Sequence, residues 1–154
     1  MVKQIPNDEV ILLGLVDVIS DYSSSFSSGI ANLEEQISRL KLAKTQINNE
    51  QEASLIEIKE IKKPELGKSW TGNRATDFNE SRSGAYKVML TIVQDEYDDY
   101  QAKIEQKITF LEIQKAAMAA AEKAAREASE LLSKGEEFLD QVESKVSDLK
   151  KWVF

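Results

Sequence analysis

The sequence predicts an all-α protein, a long antiparallel helical hairpin with a Trp-x-Gly turn, extended by a short N-terminal helix and a long C-terminal helix. Two observations predict this architecture. Apolar residues recur at helical spacing on both sides of one short breaker region. That region contains Pro64 and Gly67, which end a helix and allow the chain to reverse.

The N-terminal part of the chain predicts a short first helix. Asn7 or Asp8 can cap a helix that runs to about Ile19. The serine-rich residues 21–29 either interrupt the helix or merely weaken it. From there, apolar residues recur at alternating spacings of four and three, which defines one helix face: Phe26, Ile30, Leu33, Ile37 and Leu40.

The breaker region predicts the tip of the hairpin. Pro64 lacks a backbone N–H and pushes the preceding residue out of helical geometry, so the first long helix should end there. We expect Trp70 to cover the open end of the helix pair and Gly72 to let the facing backbone come close. Ala75 and Phe78 continue the same face. The alternative is that Trp70 only caps the end of the helix bundle and has no further function. Both interpretations predict the same geometry.

The second long segment again follows helical spacing, through Met89, Val93, Tyr97, Tyr100, Ile104, Ile108 and Leu111. One unbroken helix from Gly72 to Val153 would be about 120 Å long, more than twice the first hairpin helix. The distal half must therefore be covered by the N-terminal helix, by a fold-back near residues 133–135, or by another protein. The predicted organisation is an N-terminal helix and serine-rich connection at 1–25, the hairpin at 26–120 with its turn at 63–73, and a C-terminal helical extension at 121–154.

The composition excludes several functional classes. The chain contains neither cysteine nor histidine, which removes thiol nucleophiles, zinc–thiolate sites and the commonest general base. Its net charge of -7 gives no support for nucleic-acid binding. We therefore expect no catalytic residue, no cofactor and no metal, and a protein that is not an enzyme.

One acidic cluster could bind a cation or a basic partner. Residues 95–99 carry four carboxylates, and Asp95 and Asp99 share a helix face. A divalent cation or a basic partner could bind such a face, and Asp95, Asp98 and Asp99 would then be the ligands of a metalloenzyme. A solvated acidic face explains the cluster better, because no loop glycine or alternating ligand pattern accompanies it.

The apolar run at residues 10–16 is too short to span a bilayer, and acidic rather than basic residues precede it. We expect a cytoplasmic protein without a cleavable signal peptide or a membrane span. The run either packs on its own hairpin or forms a docking surface that a partner completes. The possible partner surface comprises Ile11, Leu12, Leu15, Met89, Val93, Tyr97, Tyr100 and Ile104.

The hairpin with its tryptophan turn resembles the WXG (ESX-type) secretion proteins of type VII secretion systems. More narrowly, three features resemble the YwqH-like family of Gram-positive bacteria: Lys63-Pro64-Glu65-Leu66, the following Trp70-x-Gly72-x-x-Ala75-x-x-Phe78, and the serine- and lysine-rich stretch at 38–44. The resemblance covers roughly residues 26–120.

This resemblance implies an adaptor. YwqH-like proteins are typically encoded beside LXG toxins, and such a partner pairs with the helical N-terminal domain of the toxin as a targeting factor or chaperone for the type VIIb machinery. A second small WXG-like protein could join the complex. Trp70, Gly72, Ala75 and Phe78 would then form the tip that the system recognises.

One feature departs from the family pattern. The chain has no Y-x-x-x-D/E export signal, so it either shares a composite signal with its partner or stays in the cytoplasm. The alternative is a structural or self-associating coiled-coil protein without a role in secretion.

Overall fold

The computed structural model describes the backbone of residues 5–135 and 138–153, and the side chains of residues 14–135 and 138–151. These residues contain no strand, which confirms the predicted all-α class. In the described residues, the apolar stretches of the helices are too short for any helix to cross a membrane. The elements are α1 (Ile5–Glu57), a 3-10 helix (Ile58–Lys62), α2 (Asn73–Thr91), a π-helical turn (Ile92–Glu96), α3 (Tyr97–Lys134) and α4 (Leu139–Val153).

The short N-terminal helix is not a separate element, because α1 runs without a break through the serine-rich residues 21–29. Serine weakens a helix only modestly, and the apolar face continues across the segment. Phe26 is buried, and its ring centroid lies 6.4 Å from that of Tyr22, one helical turn earlier. Burial of this face holds the helix together where local propensity is low.

The breaker region ends the first helix at the predicted place. The 3-10 helix closes at Lys63, whose φ of -106° and ψ of 152° are extended, as expected for the residue before a proline. The next helix begins after Gly72, whose carbonyl oxygen accepts hydrogen bonds from the backbone N–H (3.1 Å) and the hydroxyl (3.2 Å) of Thr76. The loop between the two hairpin helices therefore has a defined beginning and end.

The chain forms two compact units. The first, the three-helix unit, comprises Met1–Ile37 and Phe110–Phe154. Here the chain turns after Lys134 at Gly135, which has a φ of 119°, and α4 packs back on the other helices. The fold-back and the N-terminal part of α1 thus both cover the distal half of the second long segment. The core consists of Ile19, Phe26, Ala121, Ala125, Ala128, Val142, Val146 and Leu149.

Small side chains on α3 let its neighbours come close in the three-helix unit. Ala121, Ala125 and Ala128 are all buried, and alanine both favours a helix and leaves room for another helix. An ion pair at the surface also joins α3 to α4, with 3.1 Å between Lys145 Nζ and Glu127 Oε2. The predicted alanine-rich stretch is therefore a packing surface.

The second unit, the hairpin unit, comprises Ser38–Thr109. Its buried apolar residues are few: Ile58, Ala75, Val93 and Ile108. Polar contacts add to this thin core. Lys44 forms an ion pair with Glu105, and Gln51 connects α1 to the π-helical turn. Because so little apolar surface is enclosed, the hairpin unit relies on few packing contacts for its stability.

Candidate partner-binding surface

Trp70 lies in the breaker loop and is 66% exposed. Its backbone N–H donates a hydrogen bond of 2.9 Å to the carbonyl oxygen of Gly67, so the loop backbone is held in a turn. The expectation that the indole covers the open end of the hairpin is wrong. Trp70 precedes the first residue of α2, and therefore does not lie on the helix face that carries the core residues.

Gly72 is required for a different reason from the predicted one. A Cβ atom built on Gly72 would meet no heavy atom within 4 Å, so no facing backbone comes close. Its φ of 98° and ψ of 179° instead define a backbone conformation that is essentially restricted to glycine. Gly72 thus sets the direction in which the chain enters α2.

The two remaining motif residues have different environments. Ala75 is buried on the face of α2 that packs within the hairpin, whereas Phe78 is 52% exposed. Arg82 lies beside Phe78, with 5.3 Å between the guanidinium carbon and the ring centroid. The same guanidinium donates a hydrogen bond of 2.6 Å to the carbonyl oxygen of Pro64, which fastens α2 to the loop. Gly72 and Ala75 therefore build the tip, while Trp70 and Phe78 present apolar surface.

A second apolar stripe runs along α2 beside its packed face. We call it the outer stripe, and it consists of Phe78, Ala85, Val88 and Met89, all of them exposed. The first three are separated by seven and three residues, which is the spacing of one helix face. The stripe as a whole was not predicted, because Phe78 and Met89 were identified for other reasons. The same spacing rule applied to α2 alone would have found it.

The predicted partner surface is only partly available. Val93 is 2% exposed and belongs to the core of the hairpin unit, so its assignment to a partner surface is wrong for this conformation of the chain. Tyr97 and Ile104 are half-buried. Tyr100 is 62% exposed, and with Tyr97 it lines a shallow cleft of about 260 Å³ that also includes Ile47 and Glu50.

The N-terminal members of that predicted surface fall in the three-helix unit. Leu15 is half-buried and packs against the core of this unit. This agrees with the alternative that the apolar run at residues 10–16 packs within its own chain and is not a docking surface for a partner. Ile11 and Leu12 lie outside the residues whose side chains the structure describes. Among the members whose side chains the structure describes, the exposed ones are Met89 and Tyr100, both in the hairpin unit.

The acidic cluster is partly engaged in the structure of the hairpin itself. The carboxylate of Asp98 accepts a hydrogen bond of 2.8 Å from the side-chain amide of Gln51. Within the described part of the chain, no group of three or more acidic side chains is arranged to hold a metal ion. This cluster therefore offers no geometric support for a metalloenzyme.

The fold and these surfaces define a small helical-hairpin protein with an exposed aromatic tip. The chain belongs to the YwqH-like family, whose model matches residues 19–121. It is similar to Protein YwqH of Bacillus subtilis (strain 168), with 44% identity over 140 residues, which cover 91% of this chain and 100% of the relative. No solved structure matches the chain. The family match begins seven residues before the predicted start of the resemblance at Phe26.

Proposed function

We propose that the protein is a non-enzymatic adaptor that binds the helical N-terminal domain of an LXG-type toxin, as targeting factor or chaperone for a type VIIb secretion system. One observation carries the proposal: the hairpin unit exposes seven large apolar side chains and buries only four apolar residues. A face of this kind is typical of a protein that completes its core with a partner. The exposed residues are Leu42, Ile56, Trp70, Phe78, Val88, Met89 and Tyr100.

The outer stripe is the part of this surface that best fits a helical partner. An amphipathic helix binds through apolar residues repeated every three to four positions, and the outer stripe has the matching repeat. Each large apolar side chain that the partner buries fully contributes about 1.5–3 kcal/mol before the cost of ordering the interface is subtracted. Membership of the YwqH-like family supports the proposal, because the resemblance to WXG secretion proteins carries the same expectation.

The tip has a separate role in this proposal. The complex forms in the cytoplasm through Ala85, Val88 and Met89 of the outer stripe, and Trp70 and Phe78, held by Gly72 and Ala75, meet the secretion machinery. A second small WXG-like protein would add its helices to the remaining exposed apolar surface. The absence of a Y-x-x-x-D/E signal in the sequence makes a composite signal, shared with the toxin, the expected route.

The first experiment is affinity purification of the tagged protein from its native cell, with the bound proteins identified by mass spectrometry. We expect a larger protein with a helical N-terminal domain and a toxin domain at its C-terminus. Recovery of the protein alone or as a homo-oligomer would contradict the adaptor and favour the self-associating coiled-coil protein.

A matched pair of variants then locates the interface. Val88→Glu places a charge on the outer stripe, and Ile113→Glu places the same charge at a similarly exposed apolar residue of the three-helix unit. We expect Val88→Glu to weaken binding of the purified toxin domain by more than about tenfold, because the charge would be desolvated at the interface. Ile113→Glu should bind like the unmodified protein, and equal losses would contradict the location.

Trp70→Ala separates recognition of the toxin from export. We expect the variant to retain the toxin complex while the toxin disappears from the culture medium. Its matched control is Ile113→Ala, which removes a similarly exposed apolar side chain in the three-helix unit. Loss of the complex itself in Trp70→Ala would place the tip in the toxin interface and contradict the separate role.

A further inference from the structure

Positive charge is concentrated at the tip of the hairpin unit. Residues 59–74 contain five basic and two acidic side chains, whereas the rest of the chain contains 15 basic and 25 acidic ones. All five basic side chains are exposed. We call Trp70 together with these five residues the basic tip: Lys59, Lys62, Lys63, Lys68 and Arg74. An acidic protein thus carries a local excess of three positive charges over residues 59–74, around the exposed Trp70.

Contacts at the tip hold part of this charge in place. The Lys62 ammonium lies 3.9 Å from the centroid of the Tyr86 ring, and Lys63 Nζ lies 3.0 Å from Glu60 Oε1. Both lysines remain exposed, so they still face water and any surface that approaches the tip. Trp70 is exposed in the loop, and in the sequence it lies between Lys68 and Arg74.

We propose that the basic tip is a peripheral membrane-binding site for the headgroups of anionic phospholipids, with the Trp70 indole at the level of the headgroups. Four of the five basic residues are lysines. Their ammonium groups are compact point charges, which are attracted to the many phosphates of an anionic membrane surface without a fixed geometry. Tryptophan is enriched at membrane–water interfaces because its ring is apolar and its N–H is polar. The acidic remainder of the chain is repelled by the same surface, so the protein approaches the membrane with its tip first.

An acidic protein surface is the other ligand of matching charge. Such interfaces favour arginine, which binds carboxylates through two parallel hydrogen bonds, and they enclose an anchoring tryptophan in a pocket. The lysine-rich tip with its solvent-exposed indole fits a lipid surface better. This membrane contact goes beyond the adaptor role, because it requires neither the toxin nor the outer stripe.

The test uses the full chain with a single tryptophan reporter. Trp152→Phe leaves Trp70 as the sole tryptophan, since the chain contains two. The protein is mixed at low salt with vesicles of phosphatidylcholine alone, or of phosphatidylcholine and phosphatidylglycerol in equal parts. We expect co-sedimentation and a blue shift of the Trp70 fluorescence with the anionic vesicles only, and loss of both as the salt concentration is raised.

Charge-reversal variants test whether the tip is responsible. Lys68→Glu combined with Arg74→Glu should weaken vesicle binding by more than about tenfold. The matched control combines Lys123→Glu with Lys150→Glu, two exposed lysines of the three-helix unit, and should change binding by less than about twofold. Circular dichroism establishes that each variant keeps its helices.

Three results would overturn the proposal: no binding to anionic vesicles at low salt, equal losses in the tip and control variants, or capture by polyglutamate without binding to vesicles. Formation of the toxin complex is measured separately, in the absence of vesicles. Failure of membrane binding and failure of the adaptor role are therefore distinguishable.

Discussion

The side-chain amide of Gln51 donates a hydrogen bond of 2.9 Å to the backbone carbonyl oxygen of Val93, at the π-helical turn of the hairpin unit. The same nitrogen lies 2.8 Å from a carboxylate oxygen of Asp98, and the Gln51 carbonyl oxygen accepts a hydrogen bond of 2.8 Å from Gln101. One glutamine thus joins α1 both to the irregular turn and to the first residues of α3, which follow it. Because π-helical turns leave the regular hydrogen-bond pattern, such a partner satisfies backbone groups that the helix itself does not.

Replacement of Gln51 by leucine should destabilise the hairpin. Gln51→Leu removes the amide, so the part-buried carbonyl oxygen of Val93 loses this donor and the side-chain amide of Gln101 loses its acceptor, and we expect the free energy of unfolding to fall by about 1–2 kcal/mol. Urea denaturation followed by circular dichroism measures the change. Gln46→Leu, at an exposed glutamine of the same helix, should change stability by less than about 0.5 kcal/mol. Equal effects of the two substitutions would show that the hydrogen bonds contribute nothing.

Substitution of Gly72 should destabilise the protein, although the site has room for a methyl group. Gly72→Ala forces alanine into a backbone conformation with φ of 98° and ψ of 179°, which we expect to cost about 1–3 kcal/mol. Gly84 lies within α2 and also has no heavy atom within 4 Å of a built Cβ, so Gly84→Ala should stabilise the protein by about 0.4–1 kcal/mol. Each of the two variants adds one methyl group, so they differ only in the backbone conformation of the site. Thermal unfolding that moved in the same direction for both would contradict the assigned role of the Gly72 backbone.

Leu149 tests whether α4 packs back on the three-helix unit. Its side chain is 1% exposed, so Leu149→Ala should lower the free energy of unfolding by about 2–5 kcal/mol through lost burial and the cavity left behind. Leu42→Ala makes the same change at an exposed leucine and should cost less than about 0.5 kcal/mol. Chemical denaturation of the two variants under identical conditions measures the two losses in the free energy of unfolding. Similar small losses at both positions would mean that α4 is not docked.

Trp70 should contribute little to stability despite its size. Because its side chain lies largely in water, we expect Trp70→Ala to change the free energy of unfolding by less than about 0.5 kcal/mol. Ile58→Ala, at a buried residue of the 3-10 helix, should lower it by about 2–5 kcal/mol. Urea denaturation of both variants provides the comparison. A large loss in Trp70→Ala would restore the expectation that the indole closes the end of the hairpin.

The end of the first helix could be predicted from the sequence because Pro64 acts locally. A proline changes the backbone of its own neighbour whatever the tertiary structure, and Lys63 is extended as expected. The serine-rich residues were ambiguous for the opposite reason. Their helix depends on Ile19 and Phe26, whose burial is provided by residues more than 90 positions later in the chain.

The partner surface could not be predicted correctly because it depends on the helical phase. Val93 and Tyr100 are seven residues apart and share one face of an ideal helix. The π-helical turn at Ile92–Glu96 contains Val93 and ends before Tyr100, and its wider turn rotates the side chains that follow it relative to those that precede it. As a result Val93 is buried and Tyr100 is exposed. The sequence carries no local signal for that turn.

The packing of α4 has a consequence for synthesis on the ribosome. The core of the three-helix unit joins Ile19 and Phe26 to Val142, Val146 and Leu149, so it cannot close until the last helix of the sequence has been translated. All of Ser38–Thr109, the hairpin unit, is translated before α4. In the nascent chain the exposed aromatic tip is therefore accessible before Ile19 and Phe26 can pack against α4.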